Sequence, residues 1–185
     1  MPLTSRLRVL HLTYLSKPAI DRPAYRAVRK RRIRTIVELG IGIGQRARRM
    51  IELAGLHAPV GQIRYTGVDL FEARTSSDGP GTTLKAAHRL LKATGARIQL
   101  IPGDPLTALS RAANTLGGTE LVVISAGHDP HSLARAWFYL PRMLAAGSQV
   151  LMEQPCGPEG EPAIREIARR EVDRLAAAAS LRRAA

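Results

Sequence analysis

Thr35-Ile36-Val37-Glu38-Leu39-Gly40-Ile41-Gly42-Ile43-Gly44 is an apolar run that ends in three glycines at alternate positions, followed by the basic stretch Gln45-Arg46-Ala47-Arg48-Arg49. β-Branched residues at 35–37 suit a strand. Glycine alone takes a positive φ freely and approaches a ligand with no Cβ in the way. The stretch therefore reads as a strand, a turn built for close contact and a helix, with a nucleotide-type ligand at the tip of the first sheet strand. Spacing excludes two familiar versions of that turn. The dinucleotide fingerprint G-x-G-x-x-G needs glycine or alanine at position 45, where Gln45 stands, and a phosphate loop needs a Gly-Lys-Ser/Thr sequence that is absent here.

Outward from this turn, strand and helix patterns alternate. Apolar spacing predicts a helix over 22–31 with Pro23 in a permitted first-turn position, a strand over 33–39, and a helix over 45–53 that stops near Gly55. A strand over 63–68 ends at Asp69. Residues 71–81, rich in Ser, Gly and Pro, read as a loop able to act as a flap, before a helix over 82–94 capped by Gly95. A strand over 97–101, a helix over 106–116 and a strand over 120–125 come next. The run Leu121-Val122-Val123-Ile124 is continuously apolar, as in a strand covered on both faces. A helix over 131–144 bent by Pro141, a fifth strand over 149–152 and a final helix over 162–179 complete the pattern. The fold class expected is α/β, a doubly wound and mostly parallel sheet of five strands in the order 3-2-1-4-5. Residues 1–32 form an N-terminal extension and helix, and residues 33–185 form the α/β domain, in one compact unit.

Ligands of such sheets sit outside the carboxyl ends of the strands, so the residues just past each strand carry the chemistry. Asp69 stands where an acid accepts the two hydroxyls of a ribose, or caps the next turn. Asp104 follows Ile101-Pro102-Gly103 and precedes Pro105 and a helical run, which also suits a helix N-cap. His128, in Ser125-Ala126-Gly127-His128-Asp129-Pro130, titrates near neutrality and is the general-base candidate; the alternative is a plain turn residue. Glu153 is a second base candidate or a turn cap. Cys156, between Pro155 and Gly157, reads as a small residue rather than a nucleophile.

Composition narrows the setting. The single cysteine excludes an intrachain disulfide and any multi-cysteine metal site, which fits a reducing compartment. With no signal peptide legible at the N-terminus and no run of about 20 apolar residues, the expected location is the cytoplasm, away from the membrane. The chain carries 28 Lys+Arg against 15 Asp+Glu, a formal charge of +13. Its basic residues concentrate at Arg26, Arg29, Lys30, Arg31, Arg32 and Arg34, and again at Arg46, Arg48 and Arg49. Two readings of this cluster stay open: the solvated face of helices, or a surface for a phosphate backbone.

The pattern E-x-G-x-G-x-G, with Asp69 closing the second strand and Asp104 the third, resembles the class I S-adenosylmethionine-dependent methyltransferases over residues 33–153. The resemblance implies a Rossmann-like sheet and an S-adenosylmethionine donor whose methyl group passes to a nucleophile, leaving S-adenosylhomocysteine. It implies that Glu38 holds the donor's amino-acid end, that Gly40, Gly42 and Gly44 permit close approach, and that Asp69 takes the ribose. Asp104 is then expected at the adenine, with Gly103 and Ser125 completing the cofactor site and His128 and Glu153 as catalytic residues.

The stretch after the fourth strand resembles the small-molecule O-methyltransferase branch, where acids at the matching positions bind a divalent metal. Ser125 and Gly127 are not acidic, so no metal is expected, with Asp129 left isolated. The acceptor expected is a small molecule. Family members add a C-terminal strand hairpin for which the chain has no room in this reading, which leaves the fifth strand as a bare edge that a homodimer would cover. Two other classes are carried forward: a non-catalytic Rossmann-like binding or scaffold protein, and a nucleic-acid-associated protein using the arginine cluster.

Overall fold

The computed structural model describes residues 3–154 and 163–184; Cys156 lies outside the described residues. Its strands are β1 (Thr35–Leu39), β2 (Arg64–Asp69), β3 (Arg97–Pro102), β4 (Thr119–Ile124), β5 (Leu144–Gln154) and β6 (Ala163–Ile167). They form one sheet in the order β3-β2-β1-β4-β5-β6. The first five run parallel, with Ile36 beside Tyr65 on one flank and beside Leu121 on the other.

Helices cover both faces, as parallel strands require. On one face lie α1 (Leu3–Leu10), α2 (Arg22–Arg31), α3 (Gln45–Ala54) and α4 (Leu84–Lys92). There Val9, Leu12, Tyr25, Val28, Met50 and Ile51 pack with Ile36 and Tyr65 of the sheet. The N-terminal extension thus shares this core. On the other face lie α5 (Pro105–Ala112), α6 (Pro130–Ala136), α7 (Leu140–Met143) and α8 (Arg169–Ala184). Leu109, Trp137, Leu140, Met143 and Val172 pack there against Val37, Leu39 and Val122. Removing an Ile36 or Leu39 side chain from water contributes about 1.5–3 kcal/mol, and both are fully buried.

Three expectations need correction. The helix expected over 131–144 is broken into α6, a 3-10 turn at Trp137–Tyr139, and α7. Pro141, which has no N–H to give, sits in the first turn of α7, where none is needed. β5 begins at Leu144 rather than 149, and its pairing with β4 shifts register between Thr119 and Leu121. Most consequential, residues 163–167 form a strand rather than the start of the last helix. β6 pairs antiparallel with β5, from Val150 beside Ile167 to Gln154 beside Ala163. The Ala, Arg and Glu residues around it favour helix, but the open hydrogen-bonding edge of β5 supplies partners that local propensity cannot match. β5 is therefore not a bare edge, and a homodimer through that edge loses its premise.

Candidate functional site

The glycine turn joins β1 to α3 with φ of +86° at Gly40, +59° at Gly42 and +79° at Gly44. A Cβ on Gly40 would stand 2.8 Å from the Cβ of Ser125 and 3.1 Å from Nε2 of His128, so this position closes against the loop after β4. The Gly40 amide donates to the Val68 carbonyl at 2.8 Å. Asp69 Oδ2 accepts from the amides of Ile41 at 2.7 Å and Gly42 at 3.0 Å. The acid that ends β2 thus organises the turn.

Asp69 carries a second partner that the sequence did not announce. Arg74 grips both carboxylate oxygens, Nε to Oδ1 at 2.7 Å and Nη2 to Oδ2 at 2.8 Å. Its remaining Nη1 donates to the Asp78 carbonyl. Burial alone would raise Asp69, but hydrogen bonds from Arg74, Gly42 and Phe71 outweigh it and hold the carboxyl below its ordinary value. The segment bearing Arg74 folds over the glycine turn, with the Pro80 carbonyl 3.6 Å from where a Cβ of Gly42 would be. Its base is fixed on both sides. Phe71 is buried at a φ of +50°, which non-glycine residues rarely adopt, and Glu72 Oε1 accepts from the Leu84 amide that opens α4, at 2.9 Å.

The third strand contributes Gly103 and Asp104. Gly103 has φ +131° and donates to the Asp69 carbonyl at 2.9 Å. Asp104 is the N-cap of α5, accepting from the amides of Leu106 at 2.9 Å and Thr107 at 3.1 Å and from the Thr107 hydroxyl at 2.6 Å. Ser132 also donates to it. Burial opposes the charge, yet these donors prevail and bring Asp104 down to about 2. The capping alternative is therefore realised, and Asp104 lines the cleft as well. Gly40, Asp69, Arg74, Gly103, Asp104, His128 and Asp129 enclose a cleft of about 220 Å³ at the carboxyl ends of the strands. Among the described residues no three His, Cys, Asp or Glu side chains converge on a metal position, and Asp129 caps α6 through the Ser132 amide at 2.6 Å.

His128 lines this cleft, but its Nε2 is buried against Gly40 and has no hydrogen-bond partner among the described residues. Burial lowers its pKa, against the pull of the Leu39 carbonyl and of Asp69, so the ring is neutral at pH 7. A histidine with a depressed folded-state value contributes stability that is fully present above 6.5, the ordinary value. That contribution is lost as pH falls below 6.5, because the unfolded chain takes up the proton first. Urea denaturation at pH 7.5 and 5.5 is expected to show a smaller acid-side loss in His128→Gln than in the wild type. Equal losses would mean that the ring is not held neutral by burial.

Glu38, Ser125 and Glu153 are placed differently from expectation. Glu38 is fully buried beneath the turn, where Nε of Arg46 donates to Oε1 at 2.6 Å and the Tyr65 hydroxyl donates to Oε2. It holds the turn from inside and offers no face to a ligand. Glu153 has Oε1 on Arg46 and Oε2 on the Ala126 amide at 2.9 Å, so it anchors the loop after β4 rather than standing free as a base. Ser125 donates to the Gly40 carbonyl at 2.6 Å and accepts from Arg46, which ties β4 to the turn.

Arg46 joins these residues, with Asp21 as a further carboxylate at 3.4 Å. Its side chain is 9% exposed, so it does not belong to the solvated basic surface in which its sequence neighbours placed it. Burial would lower its pKa, but Glu38, Glu153 and Asp21 together raise it and keep the guanidinium positive. Burial pushes Glu38 upward, with Arg46 and Tyr65 pulling it back. Position 46, two residues past the last turn glycine, is the signal that could have revealed it. The second position of a helix packed on the sheet points inward as readily as outward.

No family model and no curated protein matches the sequence. Solved structures do match the fold. Fibrillarin from Aeropyrum pernix, in complex with natively bound S-adenosyl-L-methionine, is 19% identical over 82% of this chain and 54% of its own, with a TM-score of 0.51. The O-methyltransferase TomG from Streptomyces achromogenes, in complex with S-adenosylmethionine, is 13% identical over 83% of this chain and 66% of its own, at 0.54. The calicheamicin methyltransferase CalS11 is 19% identical over 86% of this chain and 74% of its own, at 0.57. The chain thus spans about half of the fibrillarin and about two thirds of TomG. With its glycine turn and sheet order, the chain has the Rossmann-like fold of the class I S-adenosylmethionine-dependent methyltransferases.

Proposed function

We propose that the protein binds S-adenosylmethionine at the carboxyl ends of β1, β2 and β3 and passes its methyl group to a small hydroxylated acceptor. The observation that carries this reading is the pairing of the glycine turn with Asp69 in one cleft, with His128 on its wall. A ribose suits Asp69, Gly42 leaves room for a close backbone approach, and Gly103 and Asp104 offer a wall for an adenine. When bound, the donor supplies an electrophilic methyl on a sulfonium sulfur.

What the chain itself does is hold and deprotonate. Neutral His128, whose unpartnered Nε2 lies buried against Gly40, takes the proton that an acceptor hydroxyl must lose once its ring turns into the cleft. Ser125, Glu153 and Arg46 fix the loop that carries it. The cleft of about 220 Å³ is below the usual range for ligand sites, about 300–1,000 Å³. Arg74 fills the side of Asp69 that a ribose needs, so binding displaces it.

Calorimetric titration with S-adenosylmethionine and S-adenosylhomocysteine is expected to give micromolar dissociation constants, and Gly42→Val to give no measurable binding. A valine at φ +59° is strained, and its methyls occupy the space above the turn. Circular dichroism of the variant checks that it is folded. Absence of binding by the wild type would sink the donor reading. Binding without transfer to any hydroxylated acceptor would favour the binding or scaffold class.

A further inference from the structure

The opposite end of the sheet carries a feature that the donor site does not use. Arg34 immediately precedes β1, Arg64 opens β2 and Arg97 opens β3. These strands are adjacent. The Arg34 carbonyl accepts from the Arg64 amide at 2.8 Å, and the Ile63 carbonyl accepts from the Arg97 amide at 2.9 Å. Arg64 and Arg97 are direct register partners, so their side chains leave the same face of the sheet. Like charges directly opposite each other in a sheet are destabilising unless an anion lies between them.

None is supplied from within. Among the described residues, no carboxylate lies within ion-pair distance of Arg32, Arg34, Arg64 or Arg97, although all four are exposed. Glu120, at the start of β4, directs Oε2 to the backbone amides of Arg34 and Thr35 at 2.6 and 2.8 Å. Arg64 and Arg97 also line a cleft of about 200 Å³ with Thr35, Gln99 and Thr119. At the end of α2, Arg29 lines a groove with Arg32, whereas Lys30 and Arg31 lie beside β5 and β6, with Arg31 donating to the Gly147 carbonyl at 2.8 Å. The acids Glu38, Asp69, Asp104, Asp129 and Glu153 gather at the other end, about 17 Å away along β1 at roughly 3.3 Å per residue.

We propose that this amino-terminal edge of the sheet is a docking face for a polynucleotide backbone, with phosphates seated at Arg34, Arg64 and Arg97 and the chain continuing past Arg32. Arg64 and Arg97 stand about 4.8 Å apart on one face, while Arg34, one residue before Arg64's partner Thr35, leaves the other, so the arginines straddle the end of the sheet rather than ring one point, which suits successive phosphates better than a lone anion. The cleft at Arg64 and Arg97 has no exposed large apolar side chain among the described residues, although Arg32 adjoins a groove with Leu10 and Leu56, so vesicle binding is the alternative that the test must separate. Recognition is of phosphate and independent of base sequence, because arginine contacts to the backbone carry no sequence information. This surface is independent of the donor reading.

The test is fluorescence anisotropy of a labelled 20-nucleotide single-stranded RNA of mixed sequence with the full chain at 50 and 200 mM salt. Four phosphate contacts give a log–log slope of about −2.8 and an affinity loss of roughly 50-fold between the two salts. Arg64→Gln/Arg97→Gln is expected to halve that slope, to a loss of roughly sevenfold, while its thermal midpoint holds or rises because the like-charge pair is gone. Arg32→Gln/Arg34→Gln, which leaves both strand starts intact, is expected to flatten the slope similarly. No binding at 50 mM salt, an unchanged slope in both double variants, or capture by phosphatidylserine vesicles in place of RNA would overturn the proposal.

Discussion

Arg46→Ala is expected to lower the unfolding free energy by about 3–5 kcal/mol, because it strands buried carboxylates without their cation. Glu38 is fully buried, the Asp21 side chain is 8% exposed and that of Glu153 14%, and each meets the same guanidinium. Lysine cannot substitute: its single ammonium cannot reach Glu38, Glu153, the Gly40 carbonyl and the Ser125 hydroxyl from one position. Urea denaturation of wild type, Arg46→Ala and Arg46→Lys measures the loss. A change below about 1 kcal/mol in the alanine variant would show that the corner relaxes and admits water, contrary to the geometry. Ligand binding is expected to fall with stability, since the same side chain holds the Gly40 carbonyl and the loop that bears His128.

Arg74→Ala is expected to tighten S-adenosylmethionine binding about tenfold, which corresponds to about 1.4 kcal/mol. Two charge-assisted hydrogen bonds join Arg74 to Asp69, and the arginine side chain is 17% exposed. A ribose must displace them, so removing the competitor removes part of the cost of binding. Asp69→Asn should abolish binding in either background. Weaker binding in Arg74→Ala would make the arginine a contributor to the bound state instead of a competitor. Absence of binding in both proteins would instead count against the donor reading itself.

Much of the fold was legible because its signals are local. The glycine turn, the apolar run at 121–124 and the acid at 69 each state their role within a few residues, and β1 to β4 follow from them. β6 was not legible. Ala163-Ile164-Arg165-Glu166-Ile167 has helix-favouring neighbours, and it is a strand because β5 needs an antiparallel partner, which is a property of the assembled sheet. The site divides in the same way. Asp69, the glycines, Asp104 and His128 are where their sequence positions put them. Arg46 and Arg74 escaped because an arginine in a basic sequence reads as a surface residue, and only the converging carboxylates from residues 21, 38, 69 and 153 reveal it as internal. Glu38 and Glu153 turn inward for the complementary reason, to the Arg46 guanidinium that no local pattern shows.

The hydrogen bond between Glu72 and the Leu84 amide closes at its base the segment bearing Arg74, a strap over the glycine turn, so the intervening residues form an Ω-like loop with its ends held together. The length of such a loop can change without moving the elements at its foot. β2 and α4 would keep their register whether the strap gained or lost residues, and so would the glycine turn beneath it. The strap is therefore a part of this chain free to change length: a longer one would raise a new wall over the cleft and a shorter one would bare it, on an unchanged sheet.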